Sequence, residues 1–539
     1  MSAPLEKLLR DARTDLVLSR IEKDPSIIDE IIGYLESEIR SIKFNSILVL
    51  GELGQKSVNA ISKLTSCLED NDWSICREAT RSLGKIGNIA KEAIPELSKL
   101  LEDKEESIRK EAAIALGKIG NPSDKSITSL INAFNDKQVE VRTEVAKALG
   151  EIGPGAYNAI TSLMKGLKDV SSKVRTSSAQ ALSKIGKGSS KAIPALMTAL
   201  EDPDWRVRYR VVNTLAEIGE EAVPSILEAL THKNKVVRKE AIDVLGEMKI
   251  ADPKIIENIA NLLIDKAENV RGKAADALRS IGEDSVPTLT KELKTVDIKF
   301  SSSKKVANLG YYLIMLSLIP YCIGLLFIFH PLWTYFALLT SILFFLSLGI
   351  IGIGKYIELL KLTQLKILII SAIGGVGIKA KEAIPDMCNL LNTKDQDKEY
   401  SLSLPNRIKK AFLTFLKDPL SRKASVRVEA ARALGSITID SEDSINALKK
   451  ALNDPKNIVK REVALSLGKL GSSSILAVPA LIDSLSDKNP DVRWRSSEAL
   501  GLIGVNTEDV TSNLNTLIHD ECDYVCESAI NALDNLTKE

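Results

Sequence analysis

The sequence predicts an all-α protein, an α-solenoid of about thirteen helix pairs interrupted by a two-helix transmembrane hairpin. Two observations predict this fold: a phrase that returns at a constant period along the chain, and one long stretch without a charged residue. A phrase repeated at this period is typical of a two-helix unit that stacks on copies of itself. A long uncharged stretch is typical of helices that span a membrane.

The repeated phrase is V-R-x-x-A-x-x-x-L-G-x-I-G, seen for example at residues 108–120 and 141–153. Its leucine before the first glycine serves as a register mark. The interval between marks within each block is 33, with one interval of 30 before Leu245. The marks are Leu50, Leu83, Leu116, Leu149, Leu182, Leu215, Leu245, Leu278, Ile373, Leu434, Leu467, Leu500 and Leu533.

Each unit is predicted to contain two helices. In the first helix, apolar residues such as Ile108, Ala112 and Leu116 recur at helical spacing. We expect this helix to end at a glycine such as Gly120, which can take a left-handed conformation. The second helix often carries proline in its first turn, where the missing N–H costs nothing, as at Pro95, Pro194, Pro385 and Pro479. Neither helix can bury its apolar side alone, so the units must stack.

Two polar positions also keep the register: an Asp thirteen residues before the mark and an Arg seven residues before it. Asp is suited to cap a helix, and Arg can reach carboxylates or carbonyls of the adjoining unit. The spacing predicts a structural ladder between repeats, with a charged binding stripe as the alternative. Its predicted members are Asp103, Arg109, Asp136, Arg142, Asp169, Arg175, Asp202, Arg208, Asp265, Arg271, Asp487 and Arg493.

These residues resemble the HEAT-like repeats first associated with phycobilisome lyase subunits, in their short prokaryotic form. The resemblance covers residues 38–295 and 366–539. It implies a helical solenoid, but that family includes bilin-attachment factors, an iron hydroxylase and many scaffolds. It therefore implies a fold more strongly than a function.

The interruption, residues 306–354, contains no Asp, Glu, Lys or Arg. It divides into Leu309–Phe329 and Leu332–Ile353, each long enough to span a bilayer, with a buried soluble hairpin as the alternative. Two spans place both solenoid arms on one side. Lys304, Lys305 and Lys355 flank the hairpin, and the positive-inside rule makes that side cytoplasmic. We therefore expect an integral membrane protein that contacts lipid through residues 309–353.

The chain is divided accordingly. The predicted parts are an N-terminal helical cap (1–37), a solenoid (38–295), the hairpin (306–354), one repeat (355–391), an inserted loop and helix (392–417) and a C-terminal solenoid (418–539). The insert at 392–417 either covers the solenoid or docks a partner.

Composition argues against several functions. The chain has 72 Lys and Arg against 71 Asp and Glu, so it offers no global field for nucleic acid. Its three histidines precede Lys233, Pro331 and Asp520, whereas the iron hydroxylase with HEAT repeats needs His-Glu pairs as ligands. We predict no catalytic, metal or cofactor site.

Tryptophans hold two kinds of position. Trp73 and Trp205 share a register position at the start of a first helix, which predicts packing over the inter-repeat turn. Trp494 lies elsewhere in its unit and is expected to be more exposed.

The sequence thus predicts a membrane-anchored scaffold that binds other proteins at the cytoplasmic face of a membrane. Recognition is expected along the second helices of successive units. The alternative is a bilin lyase or isomerase subunit, or a phycobiliprotein assembly factor, as the resemblance implies. Enzymatic activity is not expected; if present, it would be of that lyase type.

Overall fold

A computed structural model describes residues 4–120, 124–299, 301–303, 357–392, 424–437 and 441–537. The predicted hairpin with its flanking lysines Lys304, Lys305 and Lys355 lies outside the described residues. The predicted insert 392–417 does too, apart from its first residue. Throughout the described ranges the chain forms helices and turns without a strand, which confirms the predicted all-α solenoid. The chain divides into two compact units, Met1–Met248 and Lys249–Glu539.

In the first unit, three short helices pack against the first long helix, and long and short helices then alternate. The short helices at the N-terminus are α1 (Leu5–Arg10), α2 (Thr14–Lys23) and α3 (Ile27–Gly33). The long helices are α4 (Arg40–Leu53), α6 (Trp73–Ile86), α8 (Glu106–Ile119), α10 (Val139–Ile152), α12 (Ser172–Ile185), α14 (Trp205–Ile218) and α16 (Lys235–Met248). The helices between them are α5 (Ile61–Ser66), α7 (Ile94–Lys99), α9 (Asp124–Ala133), α11 (Ile160–Gly166), α13 (Ile193–Ala199) and α15 (Val223–Ala229).

The second unit repeats the alternation. Its helices are α17 (Pro253–Asn261), α18 (Glu268–Ile281), α19 (286–299), α20 (357–376), α21 (Ile384–Leu391), α22 (424–437), α23 (Glu442–Ala451), α24 (Asn457–Leu470), α25 (Val478–Ser484), α26 (Pro490–Ile503), α27 (Glu508–Leu517) and α28 (Asp523–Thr537).

The ends of the helices follow from local residue chemistry. Asp72 caps α6 because its carboxylate accepts the backbone N–H of Ser74 at 2.8 Å. The same helix ends at Gly87, whose φ of 76° is easily reached only without a β-carbon. Proline occupies the first turn of α7, α13, α21 and α25, as the sequence predicts.

Successive long helices approach each other closely at the glycine that follows the register mark. A β-carbon on Gly117 would lie only 2.8 Å from the Cα of Ala148 in the next long helix. Gly84 and Gly150 face Ala115 and Ala181 in the same way, each at 2.9 Å. The glycine therefore sets the spacing of the long-helix row.

Replacing Gly117 by Ala should lower the free energy of unfolding of the first unit by about 1–3 kcal/mol, because the added methyl forces two backbones apart. Gly33 is the matched control. It has helical backbone angles and open space around it, so Gly33→Ala should stabilise by about 0.5–1 kcal/mol. Urea denaturation followed by circular dichroism measures both changes. A Gly117→Ala protein as stable as the parent would contradict this packing.

The second unit continues its stack on both sides of the predicted hairpin. Ser303 donates a hydrogen bond to the carboxylate of Glu358 at 2.8 Å. Lys294 on α19 lies 3.3 Å from Asp386 on α21. Ser303 and Glu358, which stand on either side of the predicted hairpin in the sequence, are therefore neighbours in the repeat stack.

Two stretches of the described chain are long and apolar enough to cross a membrane, Ile357–Leu391 and Asn457–Ser484. Each consists of a long helix and the following short helix, joined at a glycine of positive φ, Gly377 or Gly471. About half or less of the apolar window is buried, 50% and 39%. By length and composition alone this is weak evidence for a membrane span.

Candidate interaction surface

The Arg seven residues before the mark joins one repeat to the next. The Nε of Arg109 donates to the carboxylate of Asp136 at 2.5 Å, and Nη2 does so at 3.1 Å. Nη1 donates to the carbonyls of Asp103 and Lys104, 2.9 and 3.1 Å away. Asp136 also accepts the N–H of Gln138 at 2.8 Å. Both charged side chains are less than a tenth exposed, 8% and 9%.

The same contact recurs in other repeats, always between a basic residue and the carboxylate at the matching position of the next unit. It joins Arg142 to Asp169 (2.8 Å), Arg175 to Asp202 (2.5 Å), Arg427 to Asp454 (2.8 Å) and Arg493 to Asp520 (2.7 Å), and a lysine replaces the arginine in the pairs Lys43–Asp70 (2.5 Å) and Lys460–Asp487 (2.7 Å).

Asp103 and Arg208 are placed differently. Asp103 faces Cys76 instead of an arginine in register, and its carboxylate accepts the N–H of Glu105 at 2.7 Å. Arg208 pairs with Glu240 at 3.0 Å, because the shorter unit that follows places His232 at the Asp position. The His232 ring accepts the N–H of Asn234, as the ladder carboxylates accept theirs.

Asp265 and Arg271 lie near the start of the second unit. Arg271 donates to the carbonyl of Asp265 at 2.9 Å. Ile298 stands 27 residues after Arg271, the separation at which other ladder arginines meet their Asp. The carboxylate of Asp265 accepts the N–H of Ala267 at 2.8 Å.

The ladder controls the ionisation of its carboxylates. Burial by itself raises the pKa of Asp136, but the hydrogen bonds from Arg109 and Gln138 outweigh it and leave that pKa below its ordinary value. The pKa of Asp169 is lowered by the same balance, with Arg142 as the partner. The Arg493 hydrogen bond is the largest influence on Asp520 and lowers its pKa. These carboxylates stay charged in the folded chain at neutral pH.

The long helices carry most of the exposed aromatic side chains in the described residues. Trp205 is 65% exposed, Tyr209 55%, Trp73 48% and Tyr524 41%. The expectation that Trp73 and Trp205 pack over the inter-repeat turn is therefore wrong. Both tryptophans are the first residue of their helix. This distribution favours the long helices over the second helices as the candidate recognition surface.

Trp494 is less exposed than Trp73 and Trp205, contrary to expectation. Its ring meets that of Tyr524 edge to face, with centroids 5.6 Å apart. A surface cavity of about 330 Å³ lies beside the pair, between α26 and α28. Leu502, Glu498 and Glu527 also line it.

The described part of the chain contains no group of three or more His, Cys, Asp or Glu placed to hold a metal ion.

Stacked helix pairs joined by a repeating ion pair define the chain as an α-solenoid repeat protein. The model of the HEAT-repeat family matches residues 61–149, 160–235, 223–297 and 410–478, more than half of the sequence. The chain belongs to the HEAT-repeat family.

Curated relatives match over a short part of their length. Deoxyhypusine hydroxylase of Aspergillus clavatus is 36% identical over 93 residues, 17% of this chain and 27% of that enzyme. The Drosophila melanogaster enzyme is 36% identical over 106 residues, 19% and 34%. The chain thus spans about a third or less of the relatives it matches. Among solved structures, importin beta is similar at 12% identity over 96% of this chain and 75% of that one, with a TM-score of 0.37.

Proposed function

We propose that this chain is a membrane-anchored HEAT-repeat scaffold that binds another protein along its long helices. The contact that carries the proposal is the hydrogen bond between Ser303 and Glu358. It brackets the uncharged stretch 306–354 with two residues of one repeat stack. A segment that leaves and returns at one place can enter a bilayer without dividing the solenoid.

The proposed anchor is the pair of spans Leu309–Phe329 and Leu332–Ile353, which contact lipid through residues 309–353. Lys304, Lys305 and Lys355 flank it and place both arms on the cytoplasmic side by the positive-inside rule. Tethering at the membrane raises the local concentration of partners that are also held there.

The proposed binding surface is the exposed side of the long-helix row. A repeat row presents many similar positions at regular spacing, so affinity is spread over several contacts. Exposed Trp and Tyr supply large contact area at low entropic cost, and Trp73, Trp205 and Tyr209 lie on this row.

Affinity capture from gently solubilised membranes tests the binding half of the proposal. We expect tagged full-length chain to retain a defined protein that excess untagged chain displaces, because both compete for one surface. Recovery of proteins that the untagged chain does not displace would contradict a specific scaffold.

The resemblance to phycobilisome lyase repeats supports one alternative, a bilin lyase or isomerase subunit. Co-expression with a bilin and an acceptor protein distinguishes it, since covalent pigment transfer is expected only from the lyase. We do not propose deoxyhypusine hydroxylase activity for this chain. The iron hydroxylase with HEAT repeats needs His-Glu pairs as ligands, and no histidine of this chain precedes a glutamate.

A further inference from the structure

Two arginines on the long helices of the first unit lie against exposed aromatic rings. The guanidinium carbon of Arg77 is 5.1 Å from the centre of the Trp73 ring, and that of Arg210 is 5.8 Å from the Tyr209 ring. Neither arginine forms an ion pair with a carboxylate of the described residues. The Nε of Arg77 is buried without a hydrogen-bond acceptor among the described residues, and the residue as a whole is half-buried.

The second unit offers an informative contrast. Arg495 lies 3.7 Å from the Trp494 ring, the same kind of stacking. Its charge, however, is neutralised by Glu498 at 2.5 Å on the same helix. Arg40 in the first unit is neutralised in the same way: it lies 6.0 Å from the Phe44 ring and pairs with Asp72 at 2.5 Å. Among the described residues, Arg77 and Arg210 are thus the arginines that lie against a ring without a carboxylate partner.

The register position of Arg210, five before the mark, holds a glutamate on three other long helices, Glu78, Glu111 and Glu144, of which the first two are buried. Two other register positions carry no acidic residue on the long helices α4 to α14. We call the positions six and two residues before the mark, on the six long helices α4 to α14, the central stripe. Four of its twelve residues are basic, none is acidic, and most are half-buried or exposed. The central stripe is Phe44, Leu48, Arg77, Arg81, Lys110, Ile114, Thr143, Lys147, Thr176, Gln180, Tyr209 and Asn213.

Not all of this positive charge is available to a ligand. Arg81 is held by Glu78 and Glu111, and Lys147 by Glu144. Lys110 has no carboxylate partner among the described residues and lies on the helix next to Arg77. The basic side chains without a carboxylate partner among the described residues are therefore Arg77 and Lys110, near one end of the central stripe, and Arg210, near its other end.

We propose that the central stripe, together with the neighbouring residues Trp73 and Arg210, docks an acidic polypeptide segment that also carries apolar side chains. Its carboxylates pair with Arg77, Lys110 and Arg210, and its apolar side chains pack on Trp73 and Tyr209. Stacking holds each guanidinium in place, which lowers the entropic cost of a carboxylate contact. This inference rests on the proposed function and names the chemistry of the partner.

The spacing of the anchors limits the length of the partner segment. Helices α6 and α14 are four positions apart in the row, and packed helices lie about 8–10 Å apart, so the anchors are roughly 32–40 Å apart. An extended chain advances about 3.3 Å per residue. A segment of about 10–12 residues is therefore the shortest that reaches both.

A labelled synthetic peptide of about 14 residues, long enough for this span and made of Glu, Gly and Tyr, is the direct probe. Full-length chain in detergent should bind it, and R77Q/R210Q should bind at least about tenfold more weakly, since charge-assisted contacts are lost at both ends. R495Q is the matched control, a stacked arginine already neutralised, and should bind like the parent. Circular dichroism verifies that each variant folds.

Equal binding by R77Q/R210Q and the parent would overturn the inference, and so would tighter binding of a single-stranded RNA of equal charge. The capture experiment separates this failure from failure of the scaffold itself. A displaceable partner that R77Q/R210Q retains refutes the acidic docking surface alone. Absence of any displaceable partner refutes the scaffold.

Discussion

Asp136→Asn should destabilise the α8–α10 region by about 3 kcal/mol at neutral pH, because it leaves a buried arginine without its counterion. The substitution keeps an acceptor for the N–H of Gln138 but removes the charge that balances Arg109, 8% exposed at its side chain. An unpaired buried charge costs about 3–5 kcal/mol, and the two carbonyls that still accept from Arg109 place the loss at the low end. Hydrogen exchange of the amides in α8 and α10 measures the change locally.

The matched control is Glu144→Gln in α10, which breaks the more exposed pair with Lys147 and should cost about 1 kcal/mol or less. Amides near the Arg427–Asp454 pair of the second unit should be unaffected.

The stability that Asp136 contributes should fall as the pH is lowered. The pKa of Asp136 in the folded chain is lower than its unfolded value, so its contribution is complete above about pH 4 and is lost as the pH falls through the folded pKa. The stability gap between the parent and Asp136→Asn should therefore narrow below about pH 4, because protonated Asp136 is as neutral as Asn. A gap that stays constant to low pH would contradict a charge-dependent ladder.

The repeat architecture could be predicted from the sequence because helix packing requires the same residue types at a constant period. A two-helix unit must place Leu116 in the core and Gly117 against the next helix in every copy, so the period appears directly in the order of the residues. The turn residues Gly87 and Pro95 carry their own backbone requirements and predict the helix ends.

Individual ladder contacts were less predictable, because each needs two residues from different repeats. Arg208 is in register, yet the shortening of the unit before Leu245 replaces its Asp by His232. Comparing each basic position with the matching carboxylate position of the next unit could have revealed this exchange, and likewise the substitution of Cys76 opposite Asp103.

The exposed surface was the least predictable part. The position of Trp73 and Trp205 relative to the register mark shows that they begin a helix. Their exposure, however, depends on whether the preceding turn covers them. Arg77 and Arg210 have no carboxylate partner among the described residues, and this depends on which side chains the neighbouring helices place beside them. Neither property has a signal in the spacing of one sequence.

The proposed anchoring predicts that a chain without residues 304–356 no longer associates with membranes. Ser303 and Glu358 are hydrogen-bonded at 2.8 Å, so a short Gly-Ser linker can join the cut ends without moving the repeats. The shortened chain should keep the helical circular dichroism of its solenoid, because α18 to α21 belong to one stack.

Extraction of membranes with alkaline carbonate is the measurement that tests a bilayer-embedded anchor most directly. The full-length chain should stay with the membrane pellet, and the chain lacking residues 304–356 should appear in the supernatant. Full-length chain released by carbonate, or a folded shortened chain that stays with the pellet, would contradict the proposed anchoring.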